Sequence, residues 1–220
     1  MPYLFFGNIT KLNFYFAELK LINNLANKNS VLDGIMVFFS KDVPYIFMAA
    51  IVMVFILGII KKNSDYRKIA FNTFVITLIS LILSFIIGGI YYVDRPFVHS
   101  KVNLLFAHVK DASFPSDHAT GTMSIALGLR DYNKSLNLIL TILSILVGFS
   151  RIYVGHHYPM DVMGAYILAF ATSYIYNLKL RNKVGSLYER VEKKIVTRLG
   201  FRSLYNENEC SPKCIKNYKC

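Results

Sequence analysis

The chain has 220 residues, of which 54% are hydrophobic and 17% are charged, and its mean hydropathy is +0.40. Lys and Arg outnumber Asp and Glu by 25 to 13. An ordinary soluble globular protein is less apolar than this, and a nucleic-acid-binding domain would gather its basic residues on a polar surface. The composition therefore predicts an integral membrane protein whose basic residues lie outside the spanning helices.

Two apolar stretches precede residue 43, and neither suits a spanning helix. Leu12–Ala26 is patchily amphipathic, and Val31–Phe39 falls short of the about 20 apolar residues that a span requires. We expect both to be helices at the membrane interface, which defines an N-terminal region over residues 1–42. This region lacks the basic start and the cleavage site of a signal peptide, so insertion should depend on the first true span.

Five apolar runs follow, and they predict an all-α polytopic membrane helix bundle of about five spanning helices over residues 43–178. The first two runs reach full spanning length, whereas the other three are shorter or more broken. The third run covers about half of the hydrocarbon thickness, but its small residues favour close packing inside the bundle. In chain order the runs are Val43–Ile60, Ile69–Val93, Ala119–Leu129, Leu136–Phe149 and Met160–Tyr176.

The basic residues assign the two sides of the membrane. They concentrate in the loop Lys61–Lys68, around Arg130 and in the tail that begins at Lys179. The positive-inside rule places these three segments in the cytoplasm. With five spans, Asp94–Asp117 and Ser150–Pro159 then lie together on the outer side of the membrane.

The tail over residues 179–220 is polar and basic. Leu187–Leu199 is predicted to be a surface helix within it. The spacing of the three cysteines lacks paired C-x-x-C units, so we expect reduced, solvated thiols that neither bind zinc nor brace the fold. These cysteines are Cys210, Cys214 and Cys220.

Two arginines stand at the ends of apolar runs, Arg95 before the third run and Arg151 after the fourth. An arginine near membrane depth is costly unless it faces a partner or a wet cavity. Its planar donors match phosphate oxygens, although either arginine alone could equally snorkel to lipid headgroups. Beside His118 and His157, which lie in or next to the same two outer segments, they predict a phosphate site.

A helix start is predicted at Pro115-Ser116, because serine caps helices and proline fits their first turn. The free N–H groups of such a turn can bind a phosphate. We therefore expect Ser116 to bind phosphate through its hydroxyl and its backbone N–H. An ordinary N-cap is the alternative, and one residue can do both.

Three further residues are expected to perform the chemistry. Asp161 follows His157 by four residues, so its carboxylate can reach back to the ring and fix the tautomer. The other ring nitrogen is then free to attack phosphorus and form a phosphohistidine. We expect His118 to protonate the leaving oxygen and then to activate water. His156 and His108 are expected to be neighbours and not nucleophiles.

A metal site is the main alternative for these histidines and carboxylates, with Asp94, Asp111 and Asp117 as further ligands. Two arginines in the same pocket would repel a cation. We therefore expect neither a metal nor a cofactor.

Three motifs resemble the type 2 phosphatidic acid phosphatase superfamily. Arg95-Pro96 matches its first motif, Pro115-Ser116-Asp117-His118 its Pro-Ser-x-His, and Ser150–Asp161 its Ser-Arg-x5-His-x3-Asp. The resemblance implies the same roles for the six residues given above. One position departs: the family has a lysine seven residues before the arginine, and Gly88 stands there. Lys101 or Lys110 could supply the missing cation.

Within that superfamily, the run from Val43 to Tyr176 looks like the bacterial undecaprenyl diphosphatases of the bacitracin-resistance type. This resemblance implies an undecaprenyl-diphosphate phosphatase that recycles the lipid carrier for cell-wall synthesis. The alternatives are a phosphatidylglycerophosphate or phosphatidate phosphatase, and a non-catalytic lipid-binding or transport relative. The partners expected are a polyprenyl diphosphate lipid and the membrane, with no nucleic acid.

Overall fold

The computed structural model describes residues 18–198 of the protein, apart from the side chain of Thr197. Every regular element in this part of the chain is helical, which confirms the all-α prediction. The first half of the Leu12–Ala26 stretch and the three cysteines lie outside the described residues. Helical residues 18–23 are followed by α1 (Ser30–Lys41), α2 (Val43–Ile60), α3 (Ser64–Ile90), α4 (Pro96–His99), α5 (Asp117–Gly128), a 3-10 turn (Leu129–Asp131), α6 (Lys134–Tyr153), α7 (Pro159–Lys179) and α8 (Arg181–Arg198).

Asparagine side chains start three of these helices. Asn29 accepts hydrogen bonds from the first turn of α1, Asn63 from that of α3 and Asn133 from that of α6. Such caps satisfy backbone N–H groups that have no partner within the helix. Proline occupies the first turn of α2 and of α7, where its missing N–H costs nothing. Polar residues in the loops therefore set where the apolar helices begin.

Three of the described helices, α2, α3 and α6, are long and apolar enough to cross a membrane. Their outward faces carry exposed apolar side chains such as Val52, Phe85 and Ile142. Helix α5 has 12 residues and reaches only about 18 Å at 1.5 Å per residue. The membrane character of the bundle is thus evident from α2, α3 and α6.

Helix α5 is the centre of the bundle and contacts α3, α6 and α7. Its small residues make this possible. A Cβ atom at Gly128 would stand 2.7 Å from Cγ2 of Thr73, and Ala119 and Ala126 are fully buried. The prediction that this short helix lies inside the bundle is confirmed.

Helix α8 packs on the first turns of α3. Arg67 is buried, donates to the Gly58 carbonyl at 2.8 Å and forms an ion pair with Glu192 at 2.5 Å. The Tyr188 ring stacks on Phe71 with 4.8 Å between centroids. The predicted surface helix Leu187–Leu199 begins six residues earlier, at Arg181, and its contacts with α3 include Gly185, which lies against Lys68.

Candidate active site

The six residues expected in the site come from five places in the chain and converge on one end of the bundle. This end holds the last turn of α6, the first turns of α5 and α7, and the loops beside them. Arg95 caps α4, Ser116 precedes α5, His118 lies in α5, Arg151 lies in the last turn of α6, His157 lies in the following loop, and Asp161 lies in the first turn of α7.

The His157 ring is fully buried and bonded at both nitrogens. Its Nδ1 atom is 2.9 Å from the Ser113 carbonyl oxygen, and its Nε2 atom is 2.9 Å from Nη1 of Arg95. A carbonyl can only accept and a guanidinium can only donate. The proton therefore sits on Nδ1, and Nε2 keeps the lone pair that a nucleophile requires.

Asp161 lies next to the His157 ring, but the shortest hydrogen bond of the ring Nδ1 atom is not to this carboxylate. Its Oδ2 atom is 3.4 Å from His157 Nδ1, and it accepts from Ser113 Oγ at 2.5 Å and from the Tyr158 backbone N–H at 2.8 Å. The Ser113 carbonyl, and not the carboxylate, is thus the nearer acceptor for the ring proton. The carboxylate acts on the ring through its charge and through Ser113.

Ser113 was not anticipated from the sequence. It is fully buried and touches both His157 and Asp161, through its carbonyl and its hydroxyl respectively. The available signal was its position three residues before Ser116 in the run Asp-Ala-Ser-Phe-Pro-Ser. That run contains two serines, and only the second belongs to the motif.

Arg95 is buried, and protein groups occupy three of its hydrogen-bonding directions. Its Nε donates to Asp111 at 2.6 Å, and its Nη1 is shared between His157 Nε2 and the His156 carbonyl at 3.2 Å. The Asp111 side chain is 53% exposed, whereas that of Arg95 is 4% exposed. A phosphate that binds Arg95 would replace this half-exposed carboxylate.

Arg151 is also buried, but some of its hydrogen-bond donors have no acceptor among the described residues. Its Nη1 donates to Ser40 Oγ of α1 at 2.8 Å, while Nε and Nη2 bond to no residue in the described part of the chain. Buried guanidinium donors without an acceptor are costly. An anion with several oxygens would satisfy both of them.

The turn after α6 holds the two histidines against Arg151. The backbone N–H groups of His156 and His157 both donate to the Arg151 carbonyl, at 3.0 and 3.3 Å. The chain can turn back this sharply because Gly155 has φ +83°. A Cβ atom there would also stand 3.1 Å from the Asn103 carbonyl oxygen. This glycine therefore brings His157 and Arg151 together.

Ser116 lies at the N-cap of α5, as expected, but does not cap it through its side chain. Its hydroxyl is buried without a partner among the described residues, and its backbone N–H donates to the Asp161 carbonyl at 3.2 Å. The hydroxyl thus remains free to donate to a phosphate, while the backbone N–H is already used. His118 follows within the first turn of α5 and is partly exposed.

The electrostatics of the pocket favour neutral rings at His157 and His156. Burial lowers the pKa of His157 well below the ordinary value of 6.5, and the charges of Arg95 and Arg151 lower it further, with smaller contributions from His118 and His156. Burial, together with the Arg151 charge, lowers the pKa of His156 to about 3. His156 Nε2 bonds to the Phe106 carbonyl at 3.0 Å, so this ring is a buried neighbour of the site.

Gly88 faces the loop that leads into α5. A Cβ atom there would be 3.2 Å from both the Ala112 Cβ atom and the Phe114 carbonyl oxygen. A side chain at this position would require that loop to shift by a few tenths of an ångström. Lys110 lies on the same loop and lines a cleft of about 320 Å³ with Gly88 and Asp111.

With this geometry in place, comparison with known proteins identifies the family. Residues 69–184 match the model of the PAP2 superfamily. The chain belongs to the PAP2 superfamily. All six site residues fall within the matched segment, and Ser113 does as well.

Two relatives and one solved structure are similar to this PAP2 chain. Undecaprenyl-diphosphatase BcrC of Bacillus subtilis is 36% identical over 157 residues, covering 71% of this chain and 79% of that protein. A Bacillus licheniformis protein named bacitracin transport permease protein BcrC is 31% identical, covering 82% and 93%. The crystal structure of a PAP2-type phosphatidylglycerolphosphate phosphatase from Bacillus subtilis has a TM-score of 0.60 at 19% identity, covering 79% and 89%.

Proposed function

We propose that this protein hydrolyses undecaprenyl diphosphate to undecaprenyl phosphate and inorganic phosphate. One structural observation carries the proposal. His157 Nε2 keeps a lone pair that accepts from Arg95 Nη1, and the same end of the bundle holds buried donors with unused capacity, namely Nε and Nη2 of Arg151 and the hydroxyl of Ser116. A terminal phosphate is an anion that can accept from all of these donors at once. The name of the Bacillus subtilis relative supplies the lipid.

In the first step, His157 Nε2 attacks the terminal phosphorus atom. An N–P bond forms, and the bond from that phosphorus to the bridging oxygen breaks. His118 acts in its protonated form, which the negative charge of the bound diphosphate favours, and it donates a proton to the leaving oxygen, which departs as undecaprenyl phosphate. The ring becomes positive, and its Nδ1–H remains on the Ser113 carbonyl with the Asp161 carboxylate 3.4 Å away. The carboxylate stabilises the charge that develops on the ring.

In the second step, water attacks the phosphohistidine. His118, now neutral, takes a proton from the water, an O–P bond forms and the N–P bond breaks. Inorganic phosphate leaves and His157 is again neutral. In both steps Arg95, Arg151 and Ser116 hold the phosphoryl oxygens. Preorganised donors of this kind stabilise the charge of a transferring phosphoryl group.

The same proposal includes a membrane arrangement with five spans, α2, α3, α5, α6 and α7. The basic loop Lys61–Lys68 and the tail from Lys179 then lie in the cytoplasm of a bacterial cell, and the active site faces the outer side. The cleft lined by Gly88, Lys110 and Asp111 opens beside the site at the end of α3. A lipid could deliver its diphosphate from the outer leaflet through this cleft.

The test is phosphate release by the purified chain in detergent from three lipids: undecaprenyl diphosphate, phosphatidylglycerophosphate and phosphatidate. We expect the highest kcat/KM on undecaprenyl diphosphate and no release by His157→Gln. Preference for phosphatidylglycerophosphate would favour the alternative that the solved relative represents. Binding of all three lipids without hydrolysis would favour a lipid-binding or transport relative.

The intermediate has its own test. With p-nitrophenyl phosphate, whose leaving group needs no acid, His118→Ala should form the phosphohistidine and hydrolyse it slowly. Acid-labile radioactive phosphate should therefore accumulate on His118→Ala and be absent from His157→Gln. Equal labelling of both variants would exclude His157 as the nucleophile.

A further inference from the structure

Helix α8 carries an apolar stripe that no described element covers. Leu187, Val191 and Ile195 recur every four residues and therefore share one face of the helix. Their exposed fractions are 61%, 47% and 52%. Exposed apolar residues aligned in this way indicate a contact surface and differ from singly scattered ones.

A basic row adjoins the stripe. Lys183, Arg190 and Lys194 are exposed. Arg190 follows Lys183 by seven residues and Lys194 follows it by eleven, so all three lie on one side of the helix. Lys193 and Arg198 are also exposed. The outer surface of α8 is thus apolar along one strip and positively charged along the next.

The acidic residues of α8 do not balance this charge, because both face α3. Glu189 forms an ion pair with Lys68, and Glu192 pairs with Arg67. These pairs neutralise the inner face of α8. The outward face keeps its positive charge.

The position of α8 beside the start of α3 indicates which partner this surface contacts. Gly185 lies against Asn72, Tyr188 stacks on Phe71, and Glu189 pairs with Lys68, so α8 follows the first two turns of α3. The apolar run of α3 starts at Ile69, directly after Lys68, and Phe71 and Asn72 lie in its first turn. This level corresponds to the boundary between lipid headgroups and acyl chains.

We propose that α8 is an interfacial helix that binds anionic phospholipid in the leaflet where α3 begins. Its stripe enters the acyl boundary, and its basic row contacts the anionic headgroups. Helices with this division of surfaces bind membranes through buried apolar area plus attraction to anionic lipid. The ion pairs with Arg67 and Lys68 hold the helix at the correct depth.

The chain contains no tryptophan, so one introduced tryptophan reports a single site. Leu187→Trp is placed in nanodiscs that contain phosphatidylglycerol and phosphatidylcholine, with bromine atoms near the headgroup end of the acyl chains of one lipid at a time. We expect blue-shifted emission and about twofold stronger quenching by brominated phosphatidylglycerol than by brominated phosphatidylcholine. Ser186→Trp, an exposed position on another side of α8, should emit as in water and be quenched by iodide.

Replacing Lys183, Arg190 and Lys194 by Gln in the Leu187→Trp background should remove the preference for brominated phosphatidylglycerol. An unchanged melting temperature and phosphatase activity would show that these variants fold. Two outcomes would overturn the proposal. Emission as in water at Leu187→Trp would mean that the stripe is solvated, and blue-shifted emission without quenching by either lipid would mean that protein covers it.

Discussion

The Nη1 atom of Arg95 donates to the Nε2 atom of His157 across 2.9 Å. The arginine therefore masks the lone pair that the proposed reaction uses. A bound phosphate would draw Arg95 onto its own oxygens and release that lone pair in the same movement. In the proposed reaction, substrate binding would thus be coupled to exposure of the nucleophile through one guanidinium group.

The lowered pKa of His157 predicts a pH-dependent stability. Because the folded pKa lies below the unfolded value of 6.5, the unfolded chain binds more protons as the pH falls through 6.5. The contribution of His157 to the free energy of unfolding should therefore be fully present above pH 6.5. It should decrease as the pH falls below that value. Melting temperatures in detergent between pH 7.5 and 5 would measure this, and His157→Gln should show a shallower decrease.

His156 has a lowered pKa as well, so the slope of the His157→Gln variant should shrink without vanishing. His99→Gln is the matched control, because the side chain of His99 is 65% exposed. Because that side chain is exposed, its replacement should not remove the contribution of burial that His157 makes. An identical slope in all three proteins would contradict the buried, neutral state of His157.

Asp111 should compete with substrate for Arg95. Asp111→Asn removes the negative charge that lies 2.6 Å from Arg95 Nε. We expect KM, and the inhibition constant of free phosphate, to fall about three- to tenfold, with kcat nearly unchanged, since one charge near the surface contributes about 1 kcal/mol. Initial rates over a range of lipid concentrations measure both constants.

Asp94→Asn is the control for Asp111, because Asp94 adjoins Arg95 in the chain, is 43% exposed and pairs with His99 instead. It should change KM little. Equal decreases in KM for both variants would indicate general repulsion of the substrate. A large loss of kcat in Asp111→Asn would show that the carboxylate holds Arg95 in its working position.

Ser113→Ala should lower kcat about 10- to 100-fold with a small change in KM, because a hydrogen bond to a charged group contributes about 1.5–3 kcal/mol. The variant leaves Asp161 without its 2.5 Å donor, while the Ser113 carbonyl still holds the ring. Ser113→Thr keeps the hydroxyl and should retain most of the activity. Steady-state rates of the two variants test the role of the hydroxyl, provided that their melting temperatures are equal. Similar rates in both variants would refute that role.

The sequence was sufficient to locate the helices and the end of the bundle where the site lies. Val43–Ile60 coincides with α2 because an apolar run between polar caps has little choice of boundary in lipid. Pro159 starts α7 as expected. The motif residues stand at the ends of apolar runs, and the ends of neighbouring helices lie together at one end of the bundle. The motif residues are therefore brought together there.

Contacts that pair distant parts of the chain were not predictable. Arg151 bonds to Ser40 across 111 positions, and His157 bonds to Ser113 across 44. Ser40 carries no local signal, and the position of Ser113 beside a motif is a weak one, since serine is common in loops and at helix ends. Asp161 likewise has the spacing to reach His157. The Ser113 carbonyl nevertheless lies closer to His157 Nδ1 than the Asp161 carboxylate does.

Gly148 should be essential for the packing of α6 on α7. A Cβ atom there would stand 2.6 Å from Val162 Cγ1 and would overlap the Tyr166 hydroxyl, which donates to the Ser144 carbonyl at 2.8 Å. Gly148→Ala would push α7 away and should lower the free energy of unfolding by about 1–3 kcal/mol. It should also lower kcat, because Val162 adjoins Asp161.

Gly34→Ala in α1 is the matched control, because nothing lies within 4 Å of its added Cβ atom. Alanine favours a helix over glycine, so the melting temperature of this variant should stay the same or rise. Thermal unfolding of both variants in one detergent measures the difference. If Gly148→Ala melted as high as Gly34→Ala, α6 and α7 would not be in the close contact that positions Asp161 beside His157.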